Sequence, residues 1–256
     1  EKKLKKYKTK FIPVDSEHFS IWFGLNKINN SKVDSIYLTA SGGPLVNTPF
    51  KNFKNIKKSQ ALKHPNWKMG KKISIDSCTM MNKVFEVIEA KNIFKIPYSK
   101  IKILVHQKSY VHALIKFNNG LIKIIVHDTN MKIPIFNTLY LDTNKRINTS
   151  NINIKFLNNL DFKKVDHLKF PLISLIKKLP SKSSLFETVL VSANDEFVDM
   201  YLKDKIKYTD ISKKLLSFLN KKEFLKLKRT QPKKIDEILK LNQYVRLKIN
   251  SLSVYK

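Results

Sequence analysis

Two groups of polar residues in the first half of the chain have types and spacings that could do chemistry. Asp15 and Glu17 stand two apart in Val14-Asp-Ser-Glu-His18, so on an extended segment their side chains project to one face. Paired carboxylates suit a hard divalent cation such as magnesium or manganese, although an Asp-x-Glu also describes a solvated strand edge. Further on, Asn82 and Glu86 are four apart and Lys83 and Glu86 three apart, which on a helix puts all three on one surface. If Ser77 precedes that helix, a hydroxyl, an amide, an ammonium and free backbone N–H groups converge there, as a phosphate requires. Glu86, one turn on, could complete a metal site for the same substrate. The plain alternative is a Lys–Glu surface pair.

Other candidates are weaker alone. Ser41-Gly-Gly-Pro44 is a small-residue loop whose backbone could approach a phosphate, or simply a turn. His64, Trp67 and Met69 share a loop, and an indole there suggests either a lid or local packing. His112 lies among alternating apolar residues and reads equally as a satisfied core histidine or a functional one, while His18 could support the carboxylate pair. Cys78 has no evident base beside it and is not read as a nucleophile.

The elements that must position these groups follow from periodicity. An extended stretch opens at Phe11, and Ser35-Ile-Tyr-Leu-Thr39 is a strand stopped by the Gly-Gly-Pro loop. Lys72-Ile-Ser-Ile75 reads as a strand, with Asp76-Ser77 capping a helix over 79–93 whose apolar face is Met80, Val84, Val87 and Ile88. Residues 101–106, 110–117 and 121–127 are strands, the last two joined at Asn118-Asn119-Gly120. Residues 142–169 lose periodicity. Helices follow over 185–204 and 210–221, and Pro232 suits the first position of a last helix carrying Ile235, Ile238, Leu239, Asn242, Val245 and Ile249. The expected architecture is an α+β catalytic domain (1–141) with a mostly sequential sheet and flanking helices, a connecting segment (142–169), and a small all-α helical domain (170–256).

Composition limits what this fold can serve. The 256 residues are 42% apolar, enough for a core, and no apolar run reaches the ~18 residues of a membrane span. The single cysteine excludes a disulfide scaffold and any multi-cysteine zinc site, and fits a reducing compartment. The net charge of +30 invites a nucleic-acid partner. Its make-up argues otherwise: 47 Lys accompany only 3 Arg, with 28 Ile and 23 Asn, as an A/T-biased genome would produce. Arginine, the residue suited to bidentate phosphate and base contacts, is nearly absent.

Taken in order, Val14–His18, Leu38-Thr-Ala-Ser-Gly-Gly-Pro44, His64-Pro-Asn-Trp-Lys-Met-Gly-Lys-Lys-Ile-Ser-Ile-Asp-Ser77 and Thr79-Met-Met-Asn-Lys83 closely resemble the 1-deoxy-D-xylulose 5-phosphate reductoisomerase family, strongly over 11–135 and weakly after 142. The resemblance implies an NADPH-dependent enzyme of non-mevalonate isoprenoid synthesis. It would convert 1-deoxy-D-xylulose 5-phosphate to 2-C-methyl-D-erythritol 4-phosphate by a metal-assisted skeletal rearrangement and hydride transfer. It implies that Asp15, Glu17 and Glu86 bind Mg2+ or Mn2+, and that Ser16, Ser41, His64, Ser77, Asn82 and Lys83 bind substrate, mostly around its phosphate. Trp67 and Met69 would lie on the flap, His112 would line the site, and Met131 would lie near the nicotinamide. It further implies a homodimer in the bacterial cytoplasm, or in the plastid of a parasite, with neither membrane nor nucleic acid as partner.

The family's NADPH-binding N-terminal domain has no counterpart in this sequence, where no G-x-G-x-x-G occurs. Departures fall at Val84, where the family usually has Gly; at His106-Gln-Lys-Ser109; at Val191-Ser-Ala-Asn-Asp195; and at His127-Asp-Thr-Asn-Met131, which replaces a Gly- and Pro-containing loop. Two rival readings make different predictions. A basic nucleic-acid-binding module would show steep salt dependence and indifference to phosphosugar. A degenerate remnant would bind the phosphosugar without turnover.

Overall fold

The computed structural model describes residues 2–26, 28–141 and 143–254. Asp142, the first residue of the expected connecting segment, lies outside them. The chain divides into two compact units, one of residues 1–41 and 86–165, the other of residues 42–85 and 166–256. The division falls within one continuous helix, Met81–Phe94.

The first unit is built on a four-stranded mixed sheet of order β2-β1-β3-β4. Its strands are β1 (Val33–Ala40), β2 (Ile101–Val105), β3 (Val111–Phe117) and β4 (Ile122–Val126). β1 pairs with β2 in parallel and with β3 antiparallel. β3 and β4 form the hairpin expected at Asn118-Asn119-Gly120, where Gly120 adopts a φ of +87° that side chains disfavour. Ile36 and Leu38 of β1, with Val111, Ala113 and Ile115 of β3, are fully buried, so the central strands carry the core. The helix Ser16–Gly24 packs against β3 and β4. Residues 144–165 are irregular apart from one turn of helix at Ile154–Leu157 and a bridge between Val105 and Lys163.

The second unit is helical. Leu185–Leu202 begins with a capping box, Ser184 with Glu187, and is flanked by Tyr208–Leu219 and Ile235–Val254. The last helix starts three residues after Pro232 rather than at it. Of its predicted stripe only Val245 and Ile249 are buried, while Ile235 and Leu239 are exposed.

Two further expectations are corrected. Lys72-Ile-Ser-Ile75 is not a strand but part of the helix Lys71–Cys78. Its alternation mimics a strand, yet Ser74, Ile75, Asp76 and Cys78 are all buried, and Lys72 pairs with Asp76 one helical turn on. Ser77 therefore lies in the last turn of one helix instead of capping the next. The break falls at Thr79–Met80, where Met80 takes a φ of +59° before Met81–Phe94 begins.

Candidate functional site

In the first unit the carboxylates meet, by a different route from the one expected. Asp15 is not in a strand. It precedes the helix Ser16–Gly24, and Glu17 lies in that helix's first turn. Asp15 does not cap the helix with its side chain. Its carboxylate instead lies 2.8 Å from Nδ1 of His18, whose Nε2 is 2.9 Å from the backbone carbonyl of Glu86. Both partners only accept hydrogen bonds, so both ring nitrogens donate and the imidazole is held as a cation. Burial alone would lower its pKa, but the hydrogen bond and charge of Asp15 outweigh it and raise it. The clasp ties the Asp15 segment to the Glu86 segment. One oxygen from each of Asp15, Glu17 and Glu86 lies within 4.8 Å of the others.

Three carboxylates without thiolate or imidazole form a donor set for a hard, oxygen-seeking cation, so the residues present fit Mg2+ or Mn2+. Asp15, His18 and Glu89 also lie close together, but both His18 nitrogens are already committed to hydrogen bonds. Glu86, expected on an exposed face, is buried with 4% of its surface accessible, and Lys83 is buried to a similar degree. A helix with apolar residues on one side and these two on the other is enclosed on both. Ser16, also buried, donates its hydroxyl to Glu17. His112 on β3 is buried, donates from Nε2 to the carbonyl of His127 at 3.1 Å, and stacks on that ring with centroids 3.7 Å apart. Met131 is half-buried at the head of the helix Lys132–Leu139, and half-buried Ser41 follows β1.

The remaining predicted residues, His64, Trp67, Met69, Ser77, Asn82 and Lys83, all belong to the second unit. The loop bearing His64, Trp67 and Met69 is half-buried at these three positions. Nδ1 of His64 accepts the backbone N–H groups of Asn66 and Trp67 at 3.2 and 3.0 Å, which leaves its proton on Nε2 as a donor. Burial lowers the His64 pKa and favours this neutral form. Ser77 lies in the last turn of the helix Lys71–Cys78, which is locked in place by a network the sequence did not disclose. Lys72 lies 2.6 Å from Asp76 and 2.8 Å from Asp195, Asn194 donates to Asp76 at 2.8 Å, and Arg246 reaches Asp195 at 2.8 Å. Burial works against the Lys72 ammonium, but the two carboxylates outweigh it and raise its pKa. The Lys72–Asp76 spacing was the one readable sign of this network, since the partners on later helices are more than a hundred residues away.

Residues 11–94 match the model of the 1-deoxy-D-xylulose 5-phosphate reductoisomerase C-terminal domain, and residues 127–248 match that of the DXP reductoisomerase C-terminal domain. A 1-deoxy-D-xylulose 5-phosphate reductoisomerase of Pelagibacter ubique is 57% identical over 254 residues, covering 99% of this chain and 66% of that protein. The chain belongs to the 1-deoxy-D-xylulose 5-phosphate reductoisomerase family.

Another member, from Aquifex aeolicus, is 34% identical over 97% of this chain and 64% of its own length. A crystal structure of a reductoisomerase of this family in complex with NADPH, fosmidomycin and magnesium superposes with a TM-score of 0.87 at 30% identity, over 99% of this chain and 65% of that one. The chain thus spans just under two thirds of the length of these relatives. No helix among the described residues is long and apolar enough to cross a membrane.

Proposed function

We propose that the protein is an NADPH-dependent reductoisomerase that converts 1-deoxy-D-xylulose 5-phosphate to 2-C-methyl-D-erythritol 4-phosphate, and that this chain carries its metal- and substrate-binding part. The observation that carries the reading is the meeting of Asp15, Glu17 and Glu86 within 4.8 Å. These residues would hold Mg2+ or Mn2+, which supplies Lewis acidity toward neighbouring carbonyl and hydroxyl oxygens when bound. His18, as a buried cation, orients Asp15 and offsets part of the mutual repulsion of the three carboxylates. Ser16 would meet the sugar hydroxyls. Ser41, His64, Ser77, Asn82 and Lys83 would anchor the phosphate, His64 as an Nε2–H donor and Lys83 as an ammonium. Anchoring far from the reacting carbons supplies orientation for the rearrangement that precedes hydride transfer from NADPH. Trp67 and Met69 would cover the substrate and keep water out, His112 would line the site, and Met131 would face the nicotinamide.

A second copy of the chain is the natural partner for β4. This edge strand leaves Ile122 and Ile124 exposed, as is Leu121 just before it, and a cytoplasmic homodimer would cover them. Nucleic acid is disfavoured by the scarcity of arginine.

The test is NADPH oxidation by the full-length protein with 1-deoxy-D-xylulose 5-phosphate. Turnover should require Mg2+ or Mn2+ and fall more than ~100-fold in Glu86→Gln. Turnover that survives metal chelation, or that survives this substitution, overturns the reading. Binding of phosphosugar without turnover in the wild type would select the remnant instead.

A further inference from the structure

His127 stands where the sequence departs from the family's Gly- and Pro-containing loop, and the structure gives its ring an unusual setting. Nδ1 donates to the carbonyl of Asp128 at 2.8 Å, so the proton sits there and Nε2 carries the lone pair. The ring is clamped flat against His112, 3.7 Å away at an interplanar angle of 14°. His112 in turn donates to the His127 carbonyl, which fixes backbone and ring together. Nε2 is buried and meets no hydrogen-bond partner among the described residues. Burial depresses the ring's pKa and keeps it neutral, while the Glu17 carboxylate is close enough for its charge to act in the opposite sense. A rigid, buried acceptor held against His112 therefore has no donor among the described residues.

We propose that Nε2 of His127 accepts a hydrogen bond from a hydroxyl group of the phosphosugar bound beside Asp15, Glu17 and Glu86, making His127 a further substrate-positioning and specificity-determining residue. The inference rests on the phosphosugar reading of the site. Direct coordination of the triad's cation is not the better account, because His127 is not among the side chains that cluster with these carboxylates. The ligand group must be a donor, since a lone pair facing another acceptor is repelled. A buried acceptor left without its donor is costly, so a ligand lacking the hydroxyl is discriminated against.

The experiment uses the full-length protein and calorimetric titration with 1-deoxy-D-xylulose 5-phosphate, Mn2+ and NADPH separately. His127→Phe keeps the stack on His112 and removes the acceptor. Its phosphosugar Kd should rise on the order of tenfold, with Mn2+ and NADPH affinities unchanged. His127→Gln, whose side-chain oxygen can reach the Nε2 position, should recover part of the loss. In the wild type, the 15N resonance of Nε2 should report an unprotonated nitrogen and move when phosphosugar is added. That measurement stands even if a variant fails to fold. An unchanged phosphosugar Kd in His127→Phe, or an unmoved Nε2 resonance, overturns the proposal. A loss confined to NADPH also overturns it and assigns the donor to the nicotinamide carboxamide. If the wild type binds no phosphosugar, the functional reading itself has failed, and the two failures are distinct.

Discussion

Gly43 and Ser77 are in backbone contact: a methyl group on the Gly43 α-carbon would stand 2.8 Å from the Ser77 carbonyl oxygen and 2.9 Å from the α-carbon of Cys78. Gly43 also holds a φ of +67°, a region that L side chains rarely adopt. Neither neighbour can yield, because both are backbone. Gly43→Ala should therefore cost about 2–4 kcal/mol from strain and overpacking together. It should also weaken phosphosugar binding by displacing Ser77. Denaturant melts and a phosphosugar titration check the two halves, and a variant as stable as wild type would show that the contact is relieved more cheaply.

Glu86→Gln separates metal binding from folding. Glu86 is buried beside two other carboxylates, so neutralising it removes repulsion in the metal-free protein. The Tm without metal should stay the same or rise. The increase in Tm that Mn2+ gives the wild type should vanish. Thermal melts with and without Mn2+ decide this, and a retained Mn2+ shift would remove Glu86 from the ligand set.

His106 predicts a pH dependence with a defined sign. It is buried, with Nδ1 on the Asp161 carbonyl at 3.1 Å, and burial lowers its pKa from the ordinary 6.5. The unfolded chain protonates this histidine at a higher pH than the folded one does. Its contribution to stability is thus present above 6.5 and is lost as pH falls from there toward the folded value. His64 and His127 are shifted the same way. His18 is shifted oppositely, and its contribution is lost above 6.5 instead. Denaturant melts between about pH 7 and pH 5 should show falling stability, less steep in His106→Phe. Equal slopes in the two proteins would mean that His106 protonates freely in the native state.

The sheet and the carboxylate cluster are legible for separate reasons. β1, β3 and β4 announce themselves through β-branched runs and a hairpin turn, all local signals. Asp15 and Glu17 read as a pair on a strand but meet at a helix entry, since both geometries bring acidic side chains at this spacing together. Lys72–Ile75 misled because a short alternating run fits either element, and the deciding contacts, to Asn194 and Asp195, come from far along the chain. The burial of Lys83 and Glu86 had no sequence sign at all. A polar helix face reads as solvated until the rest of the fold covers it.

Cys78 should be inert in the native protein. It is fully buried, Tyr208 donates to its carbonyl at 2.8 Å, and burial pushes its thiol pKa up to about 12. Neither access nor thiolate is available near neutral pH. Alkylation by iodoacetamide at pH 8 should proceed only as fast as global unfolding and become rapid in denaturant. Fast labelling without denaturant would mean that the helix Lys71–Cys78 opens locally.

Asn194 tests whether the network around Asp76 positions Ser77. Its side chain is fully buried and donates to the Asp76 carboxylate, which is itself buried and is shared with Lys72. Asn194→Ala removes one of that charge's partners and leaves a cavity, which should cost about 2–4 kcal/mol. If the network serves the site, phosphosugar affinity should also fall, while Mn2+ affinity does not, because the carboxylate triad belongs to the other unit. Asn194→Asp would add a second carboxylate against Asp76 and should be worse in both respects. Chemical denaturation with parallel phosphosugar and Mn2+ titrations separates the outcomes. A loss of stability with unchanged phosphosugar affinity would reduce the network to a structural role.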